Sequence, residues 1–453
     1  MKYSMFNLRN FRNIPQIEKL PPSMLSDIET VGNILPFRTN NYVIDNLIDW
    51  QNYQTDPLFL LTFPQREMVS EAHYQLMSSA LKNNKNDFPA IKKVANKIHL
   101  ELNPHPAGQM QHNTPNFNEK KLLGIQHKYD ETLLFFPSQG QTCHAFCTFC
   151  FRWPQFSGME ELKFAMKQTE LLIAYLKANQ DINDVLFTGG DPMIMTAKQL
   201  DRYVTALLQA DLPNLRTIRI GTKSLTFWPY RFTTDKDSDD LMRVFEKITK
   251  AGIHLAIMSH FNHHAELQTP VVRQAIKRIL STGAQIRTQS PILNHINANA
   301  DLWSRLWQDQ VSLGMIPYYM FVVRNTGAQK YFALPLDKCW EIFREAYSKV
   351  SGIARTVRGP SMSADPGKVH ISGVAEIRGE KVYVLDFIQG RNPAWVGKPF
   401  FAKYNPAAIW LDDLEPAFGE KEFFYQAELE KIFSTDNDIL NNYMDEHGNI
   451  LCA

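Results

Sequence analysis

The chain is 453 residues long, enough for one large catalytic domain with attached segments or for two to three ordinary domains. With 44% hydrophobic, 12% aromatic and 21% charged residues it has the composition of a globular protein with a well-filled core. A formal net charge of +1 gives no reason to expect a nucleic-acid or anionic-membrane partner, and no stretch reaches the roughly 18 uninterrupted apolar residues of a membrane span.

The first residues, MKYSMFNLRNFRNIPQ, lack the apolar core of a signal peptide, so the expected location is cytoplasmic. Residues 1 to about 120 are punctuated by prolines, with helical patterns between them. Pro64 opens QREMVSEAHYQLMSSALKN and Pro89 opens AIKKVANKIHLEL, each with apolar residues returning every three or four positions. This predicts a helical N-terminal segment, 1–120, packed on the main domain and carrying no motif of its own.

From about 130 the pattern alternates between strand and helix. The predicted strands are 132–138, 184–188, 217–222, 254–261, 285–293 and 317–323. Between them run amphipathic helices such as ELKFAMKQTELLIAYLKAN, with Leu162, Met166, Leu172 and Leu176 on one stripe, and DLMRVFEKITKAG, with Leu241, Val244, Phe245 and Ile248. Strands separated by helices of this length are parallel, because a right-handed crossover must return the chain to the same end of the sheet. Six such units predict an α/β protein with an open, partial TIM-like (β/α)6 barrel over 121–355, reactive at the C-terminal ends of its strands. The helix LDKCWEIFREAYSKVSG then leads to a Gly/Pro-rich loop at 357–368, followed by a hairpin turning at Arg378-Gly379-Glu380. A Pro- and aromatic-rich tail ends in a helix, EKEFFYQAELEKIFS. Residues 356–453 thus read as a small α+β extension.

Just after the first barrel strand, TCHAFCTFCFRW places Cys143, Cys147 and Cys150 in a C-x3-C-x2-C spacing. Three thiolates this close can hold one soft metal centre, and a [4Fe–4S] cube held by only three cysteines leaves one iron open to an exogenous ligand. Phe146 and Phe149 between the thiols suit a centre shielded from water. The same trio could be three ligands of a structural zinc, with His144 or a distant residue as the fourth, although no second ligand pair at zinc spacing follows. A metal or iron–sulfur binding module without catalysis is the alternative from another class. The five cysteines are an odd number, which argues against a disulfide framework. Cys339 and Cys452 stand alone, one read as a buried helix residue and the other as part of the tail. Gly189-Gly190-Asp191 directly follow the second strand, where glycines admit close backbone approach or simply a tight turn. His260, Asn262 and His263 end the fourth strand facing the pocket, with a capping role open for Asn262. Arg219 and Gln289 sit near other strand ends.

The cysteine motif resembles the signature of the radical S-adenosylmethionine (SAM) superfamily. Further pieces follow in order: GIQHKYDETLLFF, Phe151-Arg152, DVLFTGGDP, RIGT, SHFNH, TQSPIL and PYY. Together they are similar to the lysine 2,3-aminomutase family over roughly residues 55–375. The resemblance implies a radical SAM isomerase in which a [4Fe–4S] cluster on Cys143, Cys147 and Cys150 cleaves SAM and the adenosyl radical abstracts hydrogen from an amino acid. A donor such as flavodoxin or ferredoxin supplies the electron, and a homo-oligomer is left open. Gly189, Gly190, Asp191, His260 and Gln289 fall at cofactor-binding positions. Arg152 stands where the family binds the substrate carboxylate, a pairing suited to a guanidinium. The family also uses pyridoxal phosphate (PLP), held as a Schiff base by a lysine in a Gly-rich loop after the sixth strand. Lys368 in ADPGKV stands for that catalytic lysine, in a shorter loop with fewer glycines. The arginine that helps hold the PLP phosphate is replaced by Thr132, while Lys128 keeps a cation nearby.

Lysine-specific members place an aspartate after PYY-x-x-x-x, where this chain has Arg324, and the second family aspartate corresponds to Asp365. A buried cation repels a lysine side chain. The expected substrate is therefore an amino acid with a carboxylate or other anion on its side chain, as in the family's glutamate-acting relatives, and the expected product its β-amino isomer. The altered PLP surroundings keep a PLP-independent hydrogen abstraction on a carboxylated substrate as the alternative. The zinc-binding cysteines of some members are absent.

Overall fold

A computed structural model describes residues 1–84, 87–118 and 120–441, with side chains described through Ser434. Cys452 lies outside the described residues. The architecture is one sheet of eleven strands, which we number in chain order: β1 (Ile125–Tyr129), β2 (Thr132–Phe135), β3 (Asp184–Phe187), β4 (Thr217–Thr222), β5 (His254–His260), β6 (Gln285–Ile292), β7 (Ile316–Val322), β8 (Arg358–Ser363), β9 (Gly367–Ile377), β10 (Glu380–Gly390) and β11 (Phe400–Lys403). Neighbours in the sheet follow sequence order from β1 to β11. Strands β2 to β8 are mutually parallel, and β1, β9, β10 and β11 join antiparallel at the two ends. The end strands β1 and β11 are not paired with each other, so the barrel is open. Each strand from β2 to β7 leads into a helix that returns the chain to the next, which gives six βα units.

The period-2 alternation of these strands sorts their side chains. Phe135, Phe187, Ile220, Ile257 and Ile286 form one register row and are fully buried. Their neighbours Leu134, Leu186, Arg219, Gly221, Met258, His260 and Gln289 face the opposite way and line a central cavity. Burial of the first set, worth about 1.5–3 kcal/mol per large apolar side chain, therefore fixes where the second set points. The helices carry ordinary boundary signals. Thr196 and Gln199 form a capping box at the start of Ala197–Gln209. Gly252, Gly283 and Gly314, each with φ near +80°, close three of the helix-to-strand loops.

Three elements differ from the sequence reading. The helix expected over 161–179 begins only at Thr169 and ends at Ala178. Residues before it form a strap along the end of β2, where the Met166 N–H donates to the Phe136 carbonyl (2.9 Å) and the Ser138 N–H to that of Met166 (3.0 Å). Leu162 and Met166 are buried, as their periodicity suggested, but by this strap. The Gly/Pro-rich stretch at 357–368 is not a loop. Arg358–Ser363 forms a seventh parallel strand, pairing Tyr319 with Arg358 and Phe321 with Ser361. It then turns into β9, so Lys368 is a strand residue opposite Gln389. The division drawn at 355/356 accordingly falls inside one sheet. The final helix is Gln426–Asn441, starting later than the sequence pattern suggested.

The N-terminal segment holds helices at Pro22–Gly32, Glu71–Asn83 and Phe88–Glu101, and it shares one continuous hydrophobic core with the barrel. Among the described residues no helix is long and apolar enough to cross a membrane.

Candidate active site

The cysteine loop leaves β2 at the C-terminal end of the sheet. Cys143, Cys147 and Cys150 are free thiols, half-buried, and all three line the same cavity of about 330 Å³. The loop is tied down by backbone bonds more than by its own side chains: the Cys150 N–H closes a turn on the Cys147 carbonyl (3.1 Å), and Asp191 N–H donates to Thr142 (2.7 Å). Gly190 permits that second contact, since a Cβ there would lie 2.5 Å from the Thr142 nitrogen. Gly189 adopts φ +129° against Gln141. The two glycines thus serve the seating of the cysteine loop.

Burial pushes all three thiols up, Cys150 to about 11. As bare groups they stay protonated at neutral pH, and a positively charged metal centre is what would draw them out as thiolates. In an iron–sulfur cube each thiol would bond a different iron, and three free thiols lining one cavity are the donor set such a cube takes. Among the described residues no group of three His, Cys, Asp or Glu side chains is arranged to hold a metal ion of its own. His144, considered as a fourth zinc ligand, is instead buried with its Nδ1 2.8 Å from Ser224 Oγ and its ring stacked on Trp228.

Asp191 lines the cavity, and its side chain is held by the protein's own donors. Its buried carboxylate accepts from Thr222 Oγ1, Ser224 Oγ and the backbone N–H groups of Met193, Lys223 and Ser224, all at 2.8–3.0 Å. Those donors saturate it, so it clamps the loop after β3 to the loop after β4. His260 and Gln289 face each other across β5 and β6. Burial, with Lys223 beside it, pushes His260 down to about 3. The neutral ring accepts at Nε2 from Gln289 Nε2 (2.8 Å), which places its proton on Nδ1. Asn262 does not cap a helix. Its side chain joins Lys223 Nζ (2.9 Å) to Ser290 (2.8 Å), while His263 caps the short helix after it. Arg219 pairs with Asp184 at the base of the cavity.

Arg152 and Arg324 both approach the ring of Phe151, with guanidinium carbons 4.9 and 4.8 Å from its centre. Both line the cavity and neither is in an ion pair among the described residues. Arg152 donates only to Gln109 Oε1 (3.2 Å), and Arg324 to the carbonyls of Ser363 (2.9 Å) and Pro106 (3.4 Å). The Nε atom of each is buried without a partner. Burial pushes Arg152 down to about 9, helped by the neighbouring Arg324, and pushes Arg324 down to about 10.

Lys368 enters the cavity from β9 with its Nζ 3.0 Å from Gln389 Oε1 and 4.2 Å from the ring centre of Tyr319. Among the described residues it has no ion-pair partner, and burial with Arg219, Arg358 and Arg324 nearby pushes its amine well below the ordinary lysine value. Lys128 lines the same cavity and donates to the Ala364 carbonyl. Burial lowers it as well, with Arg391 and Arg324 adding to the effect. Asp365 does not line the cavity. Its charge acts on Lys128 and Arg324 from behind, and its carbonyl accepts from Arg391 (2.8 Å).

Sequence reasoning missed Lys223. Its Nζ is 2.6 Å from the fully buried Glu266 and its backbone N–H binds Asp191. The signal available was its place, directly after β4 on the reactive face. Gln109 and Gln389 carry no signal of their own, because only the fold brings them to the cavity.

An open (β/α)6 barrel with three free cysteines in the loop after its first parallel strand has the radical SAM architecture. No family model matches the sequence. A protein of Aquifex aeolicus (strain VF5) named "Putative L-lysine 2,3-aminomutase" is 30% identical over 400 residues, covering 88% of this chain and 92% of that one. The L-lysine 2,3-aminomutase of Bacillus subtilis (strain 168) is 28% identical over 231 residues, 51% of this chain and 46% of its own. The solved structure of the radical SAM methyltransferase TsrM from Kitasatospora setae shares 7% identity over 45% of this chain and 38% of that one. Its TM-score of 0.29 is too slight to argue from. The chain belongs to the lysine 2,3-aminomutase family of the radical SAM superfamily, as a divergent member.

Proposed function

We propose that this enzyme moves the amino group of an α-amino acid whose side chain ends in an anion, using SAM, a [4Fe–4S] cluster on Cys143, Cys147 and Cys150, and PLP on Lys368. One observation carries the choice of substrate: Arg152, buried, and Arg324, half-buried, line one cavity, both approach the ring of Phe151, and neither is in an ion pair among the described residues. An unpaired buried charge costs several kcal/mol, and two side by side cost more. A ligand with two carboxylates relieves both.

When bound, the cluster supplies through its fourth iron the electron that cleaves SAM to methionine and the 5′-deoxyadenosyl radical. PLP supplies a conjugated ring that stabilises radical character next to nitrogen. The residues do the rest. Arg152, two positions after the last cysteine, holds the α-carboxylate beside the thiols. Arg324 holds the far carboxylate, with the ring of Phe151 packed against both guanidiniums. Lys368, with its amine poorly protonated, is available to a carbonyl carbon. Lys128, whose amine burial also lowers, is the group that a bound phosphate would draw out as a cation, a charge that Thr132 cannot supply. His260 and Gln289 present polar groups at the strand ends, and the aromatic walls formed by Phe149, Phe151 and Tyr319 exclude water.

The test is product analysis after anaerobic incubation with SAM, dithionite, PLP and a panel of amino acids. Glutamate or another acidic amino acid is expected to give 5′-deoxyadenosine and a β-amino isomer, and lysine is not. Turnover of lysine in preference to acidic amino acids would contradict the reading of Arg324. Substrate-dependent SAM cleavage without PLP would replace the amino shift by a plain hydrogen abstraction.

A further inference from the structure

We propose that Arg38, from the N-terminal segment, is a positioning residue of the cysteine loop whose charge raises the reduction potential of the centre held there. The inference rests on the iron–sulfur reading given above and concerns a segment to which the proposed chemistry assigns no role. Arg38 lies on a short strand, Arg38–Asn40, paired with Met5–Asn7. It grips the loop at three places. Its carbonyl accepts from the Phe146 N–H (2.8 Å), and its guanidinium donates to Thr142 Oγ1 (2.6 Å) and to the Cys143 carbonyl (3.1 Å). The guanidinium carbon also sits 4.7 Å from the centre of the Phe146 ring, between the first two thiols in sequence. Other parts of the segment assist, since Thr148 bonds to Leu60 and Leu61, and Tyr3 and Asn40 bond to the His144 carbonyl.

The charge of Arg38 is not spent elsewhere. It is in no ion pair among the described residues, and its Nε is buried without a partner. Lys223, a cation lining the same cavity as the thiols, is neutralised by Glu266 at 2.6 Å. Reduction adds one negative charge to a centre that three thiolates already make anionic. A fixed, half-buried cation stabilises the reduced state more than the oxidised one and shifts the potential upward. Hydrogen bonding to the ligand's own backbone fixes the distance at which that charge acts, as outer-shell partners do in other metal sites.

The test compares Arg38→Gln, which keeps an amide donor without the charge, with Arg38→Lys, which keeps the charge. Both are reconstituted anaerobically in the full chain, assayed for iron, and titrated electrochemically with the reduced cluster read by EPR. The expected result is wild-type iron content in both, with the Gln midpoint moved to more negative potential and the Lys midpoint close to wild type. An unchanged Gln midpoint, or equal shifts in the two variants, would overturn the proposal. If the Gln variant cannot hold iron, the Lys variant decides. Wild-type iron and potential there support the role of charge, whereas loss of iron there too would reduce Arg38 to a structural clamp. Absence of iron from the wild-type protein would be a failure of the iron–sulfur reading instead.

Discussion

Arg324→Asp is expected to cost the enzyme its acidic substrate and to open it to a basic one. The substitution removes a half-buried cation from the cavity and leaves Arg152 and the three cysteines in place. Breaking one partner of a buried charge pair costs about 2–5 kcal/mol, or roughly 30- to 4000-fold in kcat/KM. Turnover of the acidic amino acid should fall by that factor. Lysine should gain, because its ammonium would meet a carboxylate where it now meets a guanidinium. Steady-state kinetics on both substrates check this. A variant that loses both activities equally would show that Arg324 holds the cavity together and does not read the side chain. The carbonyls of Ser363 and Pro106, which accept from the guanidinium, make that alternative concrete.

Lys368→Met is expected to abolish attachment of PLP and to lower amino-shift activity by roughly a thousandfold or more, as removal of a covalent nucleophile does. SAM cleavage by the reduced cluster should survive, because Lys368 lies on β9, away from the cysteine loop. Treatment of the wild-type holoenzyme with borohydride should leave a stable adduct that peptide mapping places on Lys368, at neutral pH where an ordinary lysine is protonated. An adduct on another lysine would remove the assignment. The same variant carries a stability signature. The folded-state pKa of Lys368 is depressed below its unfolded value, so between the two values the unfolded chain binds the extra proton, and wild-type stability rises with pH across that window. Below the depressed value the buried charge weighs fully against folding. The methionine variant should therefore be more stable than wild type at low pH, with the advantage shrinking as pH rises toward the ordinary lysine value. Paired thermal melts across pH would read it.

The barrel was legible because its signals are local and repeated. Val185 and Phe187, or Ile218 and Ile220, alternate with residues that line the cavity, and three helices end in glycine before the next strand. The cysteine motif was legible because its spacing is short. Failures came where sequence neighbours do not set the structure. Leu162 and Met166 keep helical spacing, yet Met166 is held by the backbone of Phe136 and Ser138 just past the end of β2. Arg358–Ser363 reads as a loop because Gly359 and Pro360 are poor strand residues, but the exposed edge of β7 takes it as a seventh parallel strand. The bonds of Asp191 carried no sequence signal, because its donors come partly from its own loop and partly from the end of the next strand, some thirty residues on. Arg38 could not be found at all, since it is more than a hundred residues from the thiols it faces.

The most direct test of the account asks whether Cys143, Cys147 and Cys150 hold an iron–sulfur centre with one iron open to SAM. Anaerobically reconstituted protein, reduced with dithionite, is examined by EPR with and without SAM while 5′-deoxyadenosine is quantified. The account predicts four irons per chain, a signal altered by SAM, and 5′-deoxyadenosine formation lost in Cys147→Ala. Zinc in place of iron, or a cluster signal indifferent to SAM, would contradict it.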